Sequence, residues 1–288
     1  MIKYNCNICD RIYNEVMIHF TTMCTNNCAF CCDKNNNGVN KKVPDVLSIW
    51  QTIDAIKDKI TDVTISGGEP LLFMEDLNLL CDMIKKHTNL KITLISSIPF
   101  VAHLNSGLFF EILDKVDAFA FSPQHHDEII ANKMRSAKDA IYNRQDFYKK
   151  LLPYNDKITV NLNIVKPYLS TKEDILKCID HYNKLGFKHI RISELFDADD
   201  MHASFEEIFD IKMHSPFACG CKTDNFDITP WLPDFNGRLD VKRICFLRSE
   251  KCHASFADLV KICTRNIFKK KYTFGVIYED GSLHPYWC

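Results

Sequence analysis

Three cysteines, Cys24, Cys28 and Cys31, fall on one short run, Cys24-Thr25-Asn26-Asn27-Cys28-Ala29-Phe30-Cys31. Three thiolates on one tight loop can hold three corners of an iron–sulfur cube and leave a fourth iron open to a small ligand. The spacing differs from ferredoxin runs, which supply a full cysteine complement for electron transfer. A second motif follows at Ser66-Gly67-Gly68-Glu69-Pro70. Two glycines let backbone approach a ligand closely, and a carboxylate suits an amine. Pro70 also fits the first position of a helix, so the same residues taken alone read equally as a strand-to-helix turn. Zinc competes for part of the set. Cys6-x2-Cys9 and Cys28-x2-Cys31 stand 18 residues apart, which fits a zinc ribbon. That pairing leaves Cys24 unused and interrupts the first strand.

The elements that must position these motifs alternate. Short β-branched or aromatic runs occur at Val16–Phe20, Asp62–Ser66, Lys91–Ser97, Asp117–Ser122, Ile158–Val165 and His189–Leu195. Between them lie helical patterns. One is Val46, Ile49, Trp50, Ile53, Ile56 and Ile60 behind Pro44-Asp45; the others span Leu77–Ile84, Leu108–Leu113, Ile129–Leu152 and Ile175–Leu185, the last closed by Gly186. Strands separated by helices predict a parallel sheet, and their near-continuous apolar character predicts cover on both faces. A full eight-fold barrel needs about 250 residues of such alternation, and here it fades near Ile211. The fold class expected is α/β: a six-unit partial barrel, or an open doubly wound sheet. Both motifs then fall at the C-terminal ends of the first two strands, where such folds place their active sites.

With 288 residues, 46% hydrophobic and 25% charged, the composition is that of a globular protein and excludes a disordered chain. A formal net charge of −1 argues against a nucleic-acid footprint. No apolar run reaches the ~18 residues of a membrane span, and residues 1–6 show no apolar signal core. The expectation is a cytoplasmic protein, in which 14 cysteines serve metal or thiol chemistry rather than disulfides. Cys81 and Cys178 stand apart on apolar helix faces and read as packing residues. His125-His126-Asp127-Glu128 reads as a helix start. Adjacent histidines on a helix point ~100° apart, which predicts that these two share no metal.

The three-cysteine loop, with Phe30 before its last cysteine, and the Gly-Gly-Glu-Pro turn together resemble the radical S-adenosylmethionine (radical SAM) superfamily over roughly residues 14–200. The resemblance implies that Cys24, Cys28 and Cys31 bind a [4Fe-4S] cluster, with the methionyl amine and carboxylate of SAM on the open iron. It implies that Gly67, Gly68 and Glu69 hold the amine and that Phe30 lies near the adenine. Reductive cleavage of SAM would give a 5′-deoxyadenosyl radical that takes a hydrogen atom from substrate. Weaker matches at later strand ends are Ser122 and Asn163, as SAM carboxylate or ribose contacts, and Ile192, bordering adenine. Glu194 and Cys32 are candidate catalytic groups, Glu194 as a base or substrate contact and Cys32 as either an inert spare thiol or a hydrogen-atom donor.

From Met213 the composition changes, with Pro216, Gly220, Pro230, Pro233 and Gly237 breaking any long element. A hairpin is expected at Tyr272–Tyr278, the turn Glu279-Asp280-Gly281-Ser282, and Leu283–Trp287. This tail resembles, in part, the SPASM/twitch extensions that carry auxiliary iron–sulfur clusters; Tyr286 and Trp287 intervene where relatives place a cysteine directly after the proline. The implied auxiliary ligands are Cys245, Cys252, Cys263 and Cys288. Cys6, Cys9, Cys219 and Cys221 form a second group of four, for another cluster or zinc. The domains expected are an N-terminal segment (1–13), the barrel (14–211) and the auxiliary-cluster region (212–288). The resemblance favours peptide or protein side-chain modification (oxidation, epimerisation or crosslinking) and an electron donor such as a flavodoxin or ferredoxin. The alternatives are a small-molecule dehydrogenase or cyclase, or a non-enzymatic zinc-binding module.

Overall fold

The computed structural model describes residues 15–31, 42–136, 144–195, 199–209, 243–247 and 275–284. Six strands form where the apolar runs lie: β1 (Glu15–His19), β2 (Asp62–Ser66), β3 (Lys91–Ser96), β4 (Ala118–Phe121), β5 (Ile158–Ile164) and β6 (His189–Glu194). Each pairs in parallel with the next. The helices between them are α1 (Val46–Ile56), α2 (Met74–His87), α3 (Phe100–Leu104), α4 (Ser106–Lys115), α5 (Glu128–Arg135), α6 (Arg144–Lys149) and α7 (Lys172–Leu185); α8 (Phe205–Phe209) follows β6.

Local chemistry sets the helix ends. The Asp45 carboxylate accepts from Ser48 N at the start of α1, Asp127 accepts from Ile129 N and Ile130 N at α5, and Thr171 accepts from Asp174 N at α7. Each satisfies a backbone donor that the first turn leaves unpaired. Gly186 closes α7 with φ +107, its N–H bonded to Asn183 O and that of Phe187 to Tyr182 O, the left-handed cap that glycine adopts without strain. The single helix expected over Ile129–Leu152 is instead two. Ser136 turns left-handed (φ 42) and ends α5, and α6 begins at Arg144.

The sheet extends beyond these six strands, in the order β7-β6-β5-β4-β3-β2-β1-β8-β9. β7 (Arg243–Leu247) adds in parallel to β6, β8 (Gly275–Ile277) adds in parallel to β1, and β9 (Leu283–His284) returns antiparallel to β8. Its two end strands are not paired with each other, so the barrel is partial and open. The expected hairpin is present over residues 275–284 and is docked on the barrel's first strand, while residues 272–274 and 285–287 of the expected strands lie outside the described residues. Its turn carries Gly281 at φ +81, where an added Cβ would sit 2.5 Å from Ser48 backbone. Thr52 Oγ1 donates to Gly281 O at 2.5 Å, and Asp45 N donates to Glu279 O at 2.7 Å.

Register assigns the two faces. Val16, Ile18, Val63, Ile65, Leu162 and Ile192 share one face and are at most 1% exposed. They belong to one core with Ile49 and Ile53 of α1 and Leu77, Cys81 and Ile84 of α2. Each such side chain stabilises the fold by about 1.5–3 kcal/mol. On the other face strand alternation places Thr64, Thr93, Ala120, Asn161, Asn163 and Ser193. Met17, Ile95 and Arg191 share it, so that face is mixed in size and partly polar, and it leads to the strand ends that carry the motifs. Among the described residues no helix is long and apolar enough to cross a membrane.

Candidate active site

The cysteine loop leaves β1 at Phe20, whose N–H donates to Ser66 O at the end of β2 (2.9 Å). Thr21 Oγ1 donates to Lys42 O and accepts from Met23 N, which turns the chain back over the strand end. Cys31 N then donates to Cys28 O at 3.1 Å, a single tight turn bringing the last two cysteines together. Cys24, Cys28 and Cys31 are all partly exposed. Asn26 N donates to Cys24 Sγ at 3.4 Å, and Cys28 Sγ lies 3.8 Å from Arg135 O. Arg135 O also accepts Asn27 N at 2.8 Å, so the C-terminal carbonyl of α5 grips the middle of the loop.

The Gly-Gly-Glu turn is the clamp on its other side. Gly68 N donates to Thr21 O at 2.6 Å and Glu69 N donates to Met23 O at 2.8 Å. A Cβ on Gly67 (φ +118) would lie 2.8 Å from Thr21 O, and one on Gly68 would lie 2.3 Å from Met23 O. The glycines are therefore required for the turn to close on the cysteine loop itself, a role the sequence reading had given to approach of a ligand.

Glu69 is 1% exposed. Its Oε1 accepts from Ser96 Oγ (2.7 Å) and Leu71 N (3.2 Å), and its Oε2 from Ser97 N (2.8 Å) and Ser97 Oγ (2.6 Å). Four donors fill the acceptor capacity of a carboxylate. Asn26 Nδ2 donates to Ser97 Oγ at 2.9 Å, so one chain of hydrogen bonds links the cysteine loop, the end of β3 and Glu69. Asn26, Ser97 and Arg135 were not singled out from sequence. The hydroxyl pair Ser96-Ser97 directly after an apolar strand was the available signal.

Charge in this corner is one-sided. Burial pushes the Cys24 thiol up, and the Glu69 carboxylate beside it adds to that, against the Asn26 N–H. Burial also pushes the Glu69 carboxyl up, against the hydroxyls and N–H groups that hold it. A bare thiolate beside a buried carboxylate is unfavourable. A metal cluster on the sulfurs and a cationic ligand beside the carboxylate would both relieve it, so the donor set fits the groups that the motifs imply.

Ser122 and Asn163 lie on the inner face, in its polar stretch. Ser122 Oγ accepts from Asn161 Nδ2 (3.2 Å), Ser193 Oγ donates to Asn161 Oδ1 (3.3 Å), and Asn163 Nδ2 donates to Gln124 Oε1 (3.3 Å). Phe30 is half-buried against the core. Ile192 is fully buried and in register with Leu162, hence on the opposite face from Asn163. The structure does not bring it together with the polar residues. Glu194, 6% exposed, pairs with Ile164 and shares the face of Ile192. Cys245 lies on β7 in register with Arg191. Cys6, Cys9, Cys32, Cys219, Cys221, Cys252, Cys263 and Cys288 lie outside the described residues.

A thiol loop and an acidic turn at the C-terminal ends of adjacent parallel strands place the chain among α/β-barrel enzymes that react at that end. Residues 18–197 match the family model of the Radical SAM superfamily, and the chain belongs to that superfamily. Membership implies SAM and a [4Fe-4S] cluster. Among solved structures, Streptococcus suis SuiB bound to S-adenosylmethionine is similar with a TM-score of 0.60 at 18% identity, over 96% of this chain and 60% of SuiB. SuiB bound to precursor peptide SuiA gives 0.59 at 20%, over 96% and 60%. Native anSMEcpe with bound AdoMet and Cp18Cys peptide gives 0.56 at 14%, over 94% and 73%. The chain thus spans 60% of the length of SuiB. No curated protein is matched by its sequence.

Proposed function

We propose that this enzyme removes a hydrogen atom from a residue of a peptide or protein, from a side-chain carbon when it oxidises or crosslinks and from Cα when it epimerises. The observation that carries this reading is the hydrogen-bonded polar stretch on the inner face of an unclosed sheet, formed by Ser122, Asn161, Asn163 and Ser193. A sheet left open at its edge suits an extended chain entering from the side. The peptide-bound structures of SuiB and anSMEcpe support the same substrate class.

In this reading Cys24, Cys28 and Cys31 hold the cluster, and Gly67, Gly68 and Glu69 shape the turn that receives the methionyl amine. Ser122 and Asn163 contact the rest of SAM, beside Phe30. When bound, cluster and cofactor supply a 5′-deoxyadenosyl radical. The chain's own residues fix the loop, keep the thiolates in one orientation and exclude water from the strand ends. Cys245, Cys252, Cys263 and Cys288 would hold an auxiliary cluster, and a flavodoxin or ferredoxin would donate the electron.

The test uses the full chain reconstituted anaerobically with iron and sulfide, given SAM, a reductant and a library of short synthetic peptides. A mass change on a peptide together with 5′-deoxyadenosine is the expected result. Cofactor cleavage with every peptide unchanged, and consumption of a small molecule from a metabolite extract instead, would overturn the substrate class.

A further inference from the structure

A second cluster of metal-ligating side chains lies outside the cysteine loop. His125 and His126 precede the α5 cap rather than sitting inside the helix, so the 100° separation expected of helical neighbours does not apply. Gln124, at φ 74, turns the chain just before them, and the two rings stack with centroids 4.4 Å apart. Cys178 reaches them from α7. His126 Nδ1 and Cys178 Sγ are 3.2 Å apart, and one nitrogen of each histidine and the sulfur all lie within 4.8 Å of one another. His181, one turn beyond Cys178 on the same helix, brings its ring centre to 5.9 Å from that of His126.

His125 supplies the second observation. It is 2% exposed, its Nδ1 accepts Asp127 N at 2.9 Å, and its Nε2 is buried without a hydrogen-bond partner. A buried polar nitrogen left unpaired costs about 1–3 kcal/mol, and a bound ion or water is the usual partner of such a group. Asp127 and Asp174 both favour positive charge at the two imidazoles, with Lys177 opposing them at His126.

We propose that His125, His126 and Cys178 bind a divalent cation of the zinc class, tying the loop after β4 to α7. Two imidazoles and one thiolate form a borderline-soft set that favours zinc over magnesium or calcium. Tetrahedral coordination at about 2.0–2.3 Å puts neighbouring ligand atoms roughly 3.3–3.7 Å apart, close to the 3.2 Å already present between His126 and Cys178. The third ligand closes by side-chain rotation, and water takes the fourth corner. On binding, the thiol releases its proton to solvent and the sulfur–metal bond forms with no change of oxidation state. For Nε2 to ligate the metal, the His125 ring proton moves from Nε2 to Nδ1, and the Asp127 N–H that now donates to Nδ1 gives up that bond. The tie would also steady the inner face, because Gln124, the residue before His125, accepts from Asn163.

The experiment compares cluster-loaded wild type, Cys178→Ala, His126→Gln and the control Cys81→Ala, whose cysteine is equally buried on α2. Each is equilibrated with zinc, dialysed and analysed for zinc and iron per chain. Wild type and Cys81→Ala should retain one zinc per chain more than the other two, with equal iron in all four. Equal zinc in wild type and Cys178→Ala overturns the proposal. X-ray absorption at the zinc edge of wild type keeps the test independent of variant folding. One sulfur with two imidazoles is expected, and a shell of sulfur alone, or no zinc retained, overturns it.

Discussion

Adding one methyl group should have opposite effects at two glycines. At Gly68 a Cβ would meet Met23 O at 2.3 Å, Met23 C at 2.8 Å and Thr22 C at 2.9 Å, all backbone atoms. None can rotate away, so the turn must move off the cysteine loop. Overpacking of this kind costs about 1–3 kcal/mol. Moving the turn also weakens Gly68 N to Thr21 O and Glu69 N to Met23 O, each contributing roughly 0.5–1.5 kcal/mol. Gly68→Ala should therefore destabilise the protein by about 2–6 kcal/mol. Gly107 sits in the first turn of α4 with nothing within 4 Å of an added Cβ. Gly107→Ala should be stabilising by up to about 1 kcal/mol, through helix propensity alone. Anaerobic denaturant melts of the cluster-free chain measure both shifts. Iron per chain after reconstitution then reports whether the displaced turn still holds the cysteine loop; it should fall in Gly68→Ala and stay level in Gly107→Ala. Wild-type stability and full iron in Gly68→Ala would refute the clamp.

Replacing Cys24, Cys28 and Cys31 together by alanine should remove about four irons per chain and abolish 5′-deoxyadenosine formation, since thiolate ligation holds the cluster; product from the triple variant would contradict the site. Glu69→Gln puts an amide NH2 where an oxygen accepts two donors, one of them a fixed backbone N–H. Hydrogen bonds to a charged group contribute about 1.5–3 kcal/mol each, so the melting midpoint should drop and SAM affinity weaken. An unchanged midpoint and an unchanged titration would show that the carboxylate does not hold the turn. Thr171→Ala removes the α7 cap and should cost about 1 kcal/mol, read as faster hydrogen exchange in the first turn of α7; uniform protection in wild type and variant would count against the cap.

Local patterning was enough to place most of the barrel. The run Asp62–Ser66 is β2 residue for residue, and the other five strands differ from their apolar runs by one residue at one or both ends. The reason is physical: strands buried on the helix side must be apolar at alternate positions, and the turns and caps between them need Gly186, Asp127 and Thr171. The three-cysteine loop and the acidic turn were legible for the same reason, being short segments whose residue types are demanded by their own chemistry. What the tertiary structure decided concerns partners distant in sequence. Nothing local says that α5 ends at Ser136 so that Arg135 O meets Asn27, or that Ser97 joins Asn26 to Glu69. The hairpin could be read from Asp280-Gly281, but its docking beside β1 depends on Gly281 fitting against Ser48. Cys178 looked like a packing residue and His125-His126 like a helix start, because periodicity describes one element at a time. Their meeting across β4 and α7 exists only once the sheet has brought those two elements together.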